Sequence, residues 1–268
     1  MTLNIYRFEL KAALKNSISW LVVLLVLLLV FMKGMYPLYV TGAKEIEPLL
    51  ANFPPEFMAA FGFNVKEIFQ YGGFYSFVST YLLLCGAIMA VYLGISTFAR
   101  EKKVKTMDFL FTKPITREKI FLSKLLANFS VLIVTNLVFI TSAYFIYQSS
   151  GDTTTTINRV LLATSGLFFT QLVFLSLGIL YAVFVKKVRS VAGIAIAFGF
   201  GSFILSAVVN IIKEEKFNYI APMKYFSPNF VFSQGTFERQ SVVMAIIVIV
   251  GCLVGAFIKY IKSDIQAV

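Results

Sequence analysis

The sequence contains no histidine. Histidine is the commonest protein ligand for transition metals and the side chain best suited to proton transfer near neutral pH. Its absence argues against a metalloprotease, a zinc enzyme or a haem protein, and we expect no metal site in this chain. The only two cysteines, Cys85 and Cys252, lie inside apolar runs. They offer neither a disulfide framework nor a CxxC metal site, and we interpret both as small core residues.

Charged residues are also scarce. They make up 14% of the chain and hydrophobic residues 59%, whereas a soluble domain has about 25% charged and roughly 45–50% apolar residues. The composition therefore predicts an integral membrane protein. The 268 residues hold about six crossings of ~20 residues and leave no room for a second soluble domain of ~100 residues. We expect one transmembrane domain, residues 1–268, whose energy source lies outside this chain.

Sequence motifs of catalysis are missing as well. The chain has no GxxxxGK[ST] loop to hold a nucleotide, and the HExxH, GxSxG and zinc-ligand spacings are absent. We therefore predict that the chain is not itself an enzyme, has no catalytic residue and binds no cofactor. The five longest charge-free runs contain no Asp or Glu, which an ion-coupled carrier usually needs within its spans.

What the sequence does contain is a series of long apolar runs, which predict an all-α protein with six membrane spans. Each run approaches or exceeds the ~20 residues that ~30 Å of hydrocarbon requires, and none shows the alternation of a membrane β-barrel. The first run is long for a signal peptide and lacks a convincing small-residue cleavage site. The predicted spans are residues 18–39, 74–98, 120–147, 160–185, 191–212 and 241–258.

The charges predict an orientation. The N-terminal tail, the loop between spans 2 and 3, the turn between spans 4 and 5 and the C-terminal tail together carry 16 cations and 5 anions, while the other loops carry equal numbers. Regions rich in Lys and Arg stay in the cytoplasm, so we expect both termini inside a plasma membrane. The outer loops, residues 33–73 and 213–240, combine aromatic residues with prolines and predict short interfacial or re-entrant helices.

The N-terminal stretch, residues 1–17, has the pattern of an amphipathic helix. Arg7, Lys11 and Lys15 follow one another at i, i+4 and i+8, with apolar side chains mostly on the opposing side. Such a helix lies in the membrane interface with its cations toward the headgroups. We predict an interfacial helix that runs straight into the first span.

The loop between spans 2 and 3, residues 99–117, predicts a helix, a proline turn and a second helix. It has Glu101 after the second span, then Thr106, a leucine-containing turn and the sequence KPITR from Lys113 to Arg117. This pattern resembles the cytoplasmic loop of type-2 ATP-binding-cassette (ABC) exporter permeases. One departure is Lys105, where that family commonly has glycine before the threonine.

The resemblance implies a permease of six helices that pairs with a second permease, identical or related, and with two separate cytoplasmic ATPases that bind ATP and magnesium. It also implies that the loop contains a coupling helix that docks on the ATPase, assisted by the N-terminal helix. The alternative is that the loop charges are a solvated face that only sets topology. The candidate coupling residues are Arg100, Glu101, Lys105, Thr106, Asp108, Pro114 and Arg117.

Asn128, Asn136 and Gln171 are the amides inside the spans that suggest a substrate path. Such side chains either form interhelical hydrogen bonds or line a path. A lining of mostly apolar side chains favours export of an amphipathic or hydrophobic cargo, such as an antimicrobial peptide or a drug. An ATP-independent carrier or channel, and a non-transporting assembly or immunity protein, are the alternatives. The basic charge needs no nucleic acid, and the compact, cysteine-poor chain suggests a bacterial membrane.

Overall fold

The computed structural model describes residues 3–61, 67–100, 116–212 and 214–262, and within these ranges it contains helices and no strands. Six helices in the described ranges are long and apolar enough to cross a membrane. The prediction of an all-α protein with six spans is therefore confirmed. The six helices are α1 (Leu3–Leu29), α2 (Tyr71–Phe98), α3 (Arg117–Ser150), α4 (Ile157–Phe184), α5 (Val191–Ile212) and α6 (Arg239–Lys262).

The first helix is much longer than a membrane span needs to be. After α1 the helix continues through a π-helical segment, Val30–Met35, and a further helical stretch, Tyr36–Thr41. The continuous apolar helix Leu3–Thr41 has 39 residues, which at ~1.5 Å per residue is about 58 Å, roughly twice the hydrocarbon thickness. Residues 3–17 are the first part of this continuous helix, and their position at the membrane interface stays a prediction.

α2 and α4 form the centre of the bundle. In their most apolar stretches 72% and 61% of the residues are buried, against 17% for both the first helix and α5 and 22% for α6. α2 packs mainly on α4 and α5, α1 packs on α3, and α6 packs on α4. The peripheral helices therefore expose apolar side chains along much of their length, as helices facing lipid do.

Two glycines allow the central helices to approach closely. A Cβ on Gly94 of α2 would lie 2.9 Å from the Leu175 carbonyl oxygen of α4, and a Cβ on Gly178 would lie 2.8 Å from the Val91 carbonyl oxygen. Real Cβ atoms essentially never come within 3.0 Å of another heavy atom. The backbones of α2 and α4 are therefore in direct contact at this crossing, as small residues permit in membrane bundles.

The bundle has two distinct ends. At one end, here called the basic end, α1 begins, α2 ends, α3 begins and α6 ends. The opposite end holds the segments between the first helix and α2 and between α5 and α6, which contain the short helices. These are Ala43–Ala51, Pro55–Ala60, Glu215–Ile220, Pro222–Lys224 and Pro228–Gln234.

Candidate functional site

A buried carboxylate connects three helices at the basic end. Glu9 of α1 is 2% exposed. Its Oε2 atom accepts a hydrogen bond from Nη1 of Arg100 at 2.7 Å, and its Oε1 atom lies 3.2 Å from Nζ of Lys124. Arg100 lies two residues beyond the end of α2, and Lys124 lies two turns into α3. One side chain of α1 therefore holds both helices that flank residues 101–115.

Lys124 is the charged partner most removed from solvent, with an exposed fraction of 1%. Its ammonium donates a hydrogen bond to the Thr97 carbonyl oxygen at 2.6 Å and lies 5.7 Å from the centroid of the Phe98 ring. The Thr97 hydroxyl in turn donates to Oδ1 of Asn128 at 2.8 Å. Because a buried charge is tolerated only when it is paired and hydrogen-bonded, these contacts explain how the bundle holds Lys124 inside.

The spacing of small residues explains why Glu9 is buried. Glu9, Ala13 and Ser17 recur every four residues, and all three are at most 2% exposed where α1 packs on α3. Residues four apart lie on one face of a helix, and small side chains let the neighbouring helix come close. The cations of the predicted interfacial helix, Arg7, Lys11 and Lys15, are all exposed.

α3 and α6 are joined beside this ion cluster. Nη1 of Arg117, the first residue of α3, donates a hydrogen bond to the Ile261 carbonyl oxygen in the last turn of α6 at 2.9 Å. Phe98, Phe121 and Tyr260 pack edge-on or tilted nearby, with ring centroids 5.0–6.1 Å apart. The described chain is thus held at both sides of residues 101–115, by Arg100 on one side and Arg117 on the other.

The structure brings together only part of the predicted coupling surface. Arg100 and Arg117 lie at the basic end, Arg100 bound to Glu9 and Arg117 bound to the Ile261 carbonyl oxygen of α6. Sequence reasoning missed Glu9 and Lys124 as site residues, although a single acid in register with Ala13 and Ser17 was a visible signal. The remaining predicted coupling residues lie outside the described residues, and their role stays a prediction. They are Glu101, Lys105, Thr106, Asp108 and Pro114.

The predicted path residues lie between α2, α3 and α4 and are all buried. Nδ2 of Asn136 donates to Oε1 of Gln171 at 2.6 Å, and Nε2 of Gln171 lies 3.7 Å from Sδ of Met89. Asn128 accepts the Thr97 hydrogen bond described above. These are interhelical hydrogen bonds, and a role in a substrate path stays a prediction for all three amides.

We expect Gln171→Leu to lower the free energy of unfolding by about 0.6–2 kcal/mol. Leucine has nearly the volume of glutamine, but it cannot accept the interhelical hydrogen bond from Asn136. Equilibrium unfolding in mixed detergent micelles measures the change. The matched control is Gln148→Leu near the end of α3, where the side chain is exposed. Unchanged stability of Gln171→Leu, together with an altered transport selectivity, would contradict the packing role and favour the path.

The described residues contain no group of three or more His, Cys, Asp or Glu placed to hold a metal ion. What the basic end offers is a set of ion pairs and hydrogen bonds between helices. These contacts connect α1 to α2 and α3, and α3 to α6.

Comparison with known proteins gives one result. A family model described as ABC-2 family transporter protein matches residues 3–238. The match runs from the start of α1 to the residue before α6, and it includes the whole Glu9 network. No curated protein and no solved structure matched the chain.

Proposed function

The chain belongs to the ABC-2 family of transporter proteins, and on this basis we propose that it is the membrane-spanning permease subunit of an ATP-driven exporter. In this proposal the energy comes from two separate cytoplasmic ATPases, and a second permease completes the transporter. The absence of a GxxxxGK[ST] loop from the sequence supports this division of labour. ATP and magnesium bind to the partner and not to this chain.

The observation that carries the proposal is the position of Glu9. ATP is hydrolysed on the partner, outside the membrane, so it can drive this permease only by moving the docking loop. A rigid connection between that loop and the spans is needed to carry the movement into the membrane. Glu9 joins α1 to Arg100, which directly precedes residues 101–115, and to Lys124 of α3, the helix that follows them. Movement of that loop therefore displaces α1, α2 and α3 together.

The mechanism follows from these connections. ATP binding closes the two ATPases, which move the coupling segment of each permease. The ion cluster passes the displacement to α1, α2 and α3, and the two permeases change between inward-facing and outward-facing or squeezed states. ATP shifts this equilibrium because it binds the closed ATPase pair more tightly than the open one.

The proposed orientation places the basic end in the cytoplasm of a bacterial cell, with both termini on that side. The excess of cations in the loops of this end supports it, since positively charged loops are retained inside. The proposed cargo is amphipathic or hydrophobic, a peptide or a drug. Support for this comes from the largely apolar helices of the bundle.

Affinity purification in mild detergent tests the proposal. We expect an ATPase with a GxxxxGK[ST] motif to co-purify with the chain, and Glu101→Ala to reduce its recovery severalfold because a salt bridge across the interface is lost. Glu214→Ala is the matched control, since Glu214 is an exposed acid at the opposite end.

Two results would contradict it. If no ATPase co-purifies under conditions that preserve other membrane complexes, an ATP-independent carrier or channel becomes the leading function. If an ATPase co-purifies but vesicles containing both proteins show no ATP-dependent transport of any amphipathic probe, a non-transporting role becomes the better explanation.

A further inference from the structure

A polar cavity lies at the end opposite the basic end. Its volume is about 80 Å³, and α2, α5 and the segment before α6 line it. Three serines in its wall already donate their hydroxyl hydrogens to backbone carbonyls within their own helices: Ser76 to Gly72 at 2.8 Å, Ser79 to Ser76 at 2.6 Å and Ser206 to Ser202 at 2.8 Å. These three hydroxyls therefore have no hydrogen left to donate, and an anion must be bound by other donors of the wall.

Lys224 is the only charged residue that lines this cavity among the described residues. Its Nζ atom donates to Oδ1 of Asn218 at 2.7 Å. Since an ammonium carries three N–H donors, this bond leaves two for a ligand. Burial lowers the pKa of Lys224, while the charge of Glu238 acts in the opposite direction. An anion bound at Nζ would offset the cost of removing this charge from water.

A row of aromatic rings leads from the cavity to the surface. Phe203 lines the cavity, and its ring centroid is 6.5 Å from that of Phe61. Phe61 is followed by Phe57 at 5.0 Å and then by Phe53 at 5.7 Å. Phe57 and Phe53 are each 48% exposed. The row is thus an apolar surface that starts at the polar cavity and ends in contact with solvent or lipid.

We propose that this end of the bundle binds an amphipathic anion, with its phosphate or carboxylate headgroup on Lys224 and its apolar tail along the aromatic row. The cavity is too small for a whole amphiphile, so the tail must lie outside it, where the four phenylalanines are. Among the described residues no acidic side chain lines the cavity. A cationic headgroup would therefore meet the positive charge of Lys224 and find no carboxylate in the lining to pair with. Identifying the ligand as transported cargo rests on the proposed function, whereas binding itself does not require an ATPase.

Binding is measured with the purified chain in a neutral detergent, using dodecyl phosphate as the probe. We expect a saturable rise in the unfolding temperature, because a ligand that binds only the folded state stabilises it. Dodecyltrimethylammonium, which has the same tail and a cation, and inorganic phosphate, which has no tail, should each give at most a small fraction of this rise. An equal rise with the cationic amphiphile would overturn the proposal.

The variants test each half of the site. Lys224→Met should raise the Kd for dodecyl phosphate at least about tenfold, the effect of losing ~1.4 kcal/mol of binding. Lys224→Arg should largely retain affinity, as should the control Lys216→Met, which removes an exposed lysine of the same segment. Phe57→Ala should raise the Kd severalfold. Because the Phe57 side chain is half exposed, this variant still tests the proposal if Lys224→Met fails to fold. Unchanged affinity in Lys224→Met or in Phe57→Ala would overturn it.

Competition identifies the source of the ligand. If nanodiscs of phosphatidylglycerol abolish dodecyl phosphate binding and those of phosphatidylcholine do not, the site holds an anionic membrane lipid. If neither competes, the site is free for a transported amphiphile. The ATPase is absent from these measurements, so failure of the anion site and failure of the permease proposal are separate results.

Discussion

Glu9→Gln is expected to lower the free energy of unfolding by about 3 kcal/mol. Removing one partner of a buried ion pair typically costs about 3–5 kcal/mol, because the other charge stays buried without compensation. Lys124 is 1% exposed and keeps the Thr97 carbonyl and the Phe98 ring, which places the effect at the low end of that range. Glutamine has the shape of glutamate, so no cavity adds to the loss.

Equilibrium unfolding of the purified protein in mixed micelles measures this effect. Glu118→Gln is the control, since it removes an exposed carboxylate in the first turn of α3 and should change stability little. The double variant Glu9→Gln/Lys124→Met should recover much of the loss, because neither buried charge then remains, and Arg100 is open enough to reach water. Equal stability of Glu9→Gln and Glu118→Gln would show that the Glu9 cluster does not hold the helices together.

The cluster also has a functional consequence under the permease proposal. If Glu9 only stabilises the fold, the surviving folded fraction of Glu9→Gln should transport at the normal rate per molecule. If it transmits displacement, the variant should still bind the ATPase but should lose ATP-dependent transport. Measuring recovery of the ATPase and transport on the same preparation separates the two roles.

The six spans were predictable because hydropathy summed over ~20 residues depends on composition and not on tertiary contacts. The fifth predicted span, residues 191–212, has the bounds of α5. The third was predicted as residues 120–147, whereas α3 runs from Arg117 to Ser150. The difference arises because an apolar run ends at the hydrocarbon boundary, while helical hydrogen bonding continues beyond it.

The Glu9 network was beyond the reach of the same reasoning. Counting charges by loop assigns every Glu, Lys and Arg to water, so Glu9 and Lys124 entered that count only as one anion and one cation of the basic end. Their burial depends on the packing of α1 against α3, which joins residues more than 100 positions apart. The pairing of Asn136 with Gln171 likewise depends on which faces of α3 and α4 meet. The residue types were visible in the sequence, and their partners were set by helix packing.

Gly94→Ala and Gly178→Ala are each expected to lower the free energy of unfolding by about 1–3 kcal/mol, as overpacking of a close-packed interior does. The added methyl carbon would meet backbone atoms of the facing helix at 2.9 Å and 2.8 Å. A flexible side chain can rotate away from such a contact, but a helix backbone cannot. α2 and α4 would therefore have to move apart at the centre of the bundle.

Gly201→Ala in α5 and Gly251→Ala in α6 are the matched controls, because a Cβ at either position has no neighbour within 4 Å. Each should leave stability unchanged or raise it by up to about 1 kcal/mol, since alanine restricts the unfolded chain and favours the helix. If Gly94→Ala and Gly201→Ala have the same free energy of unfolding, the backbones of α2 and α4 are not in direct contact at this crossing.

The position of Gly94 links this packing defect to the ion cluster. Gly94 lies one turn before Thr97, whose carbonyl oxygen accepts the Lys124 hydrogen bond. Displacing α2 at Gly94 therefore moves an acceptor of the buried ammonium as well as the crossing itself. The loss of unfolding free energy in the double variant Gly94→Ala/Glu9→Gln should therefore differ measurably from the sum of the two single losses. Neighbouring perturbations that share a partner are not additive.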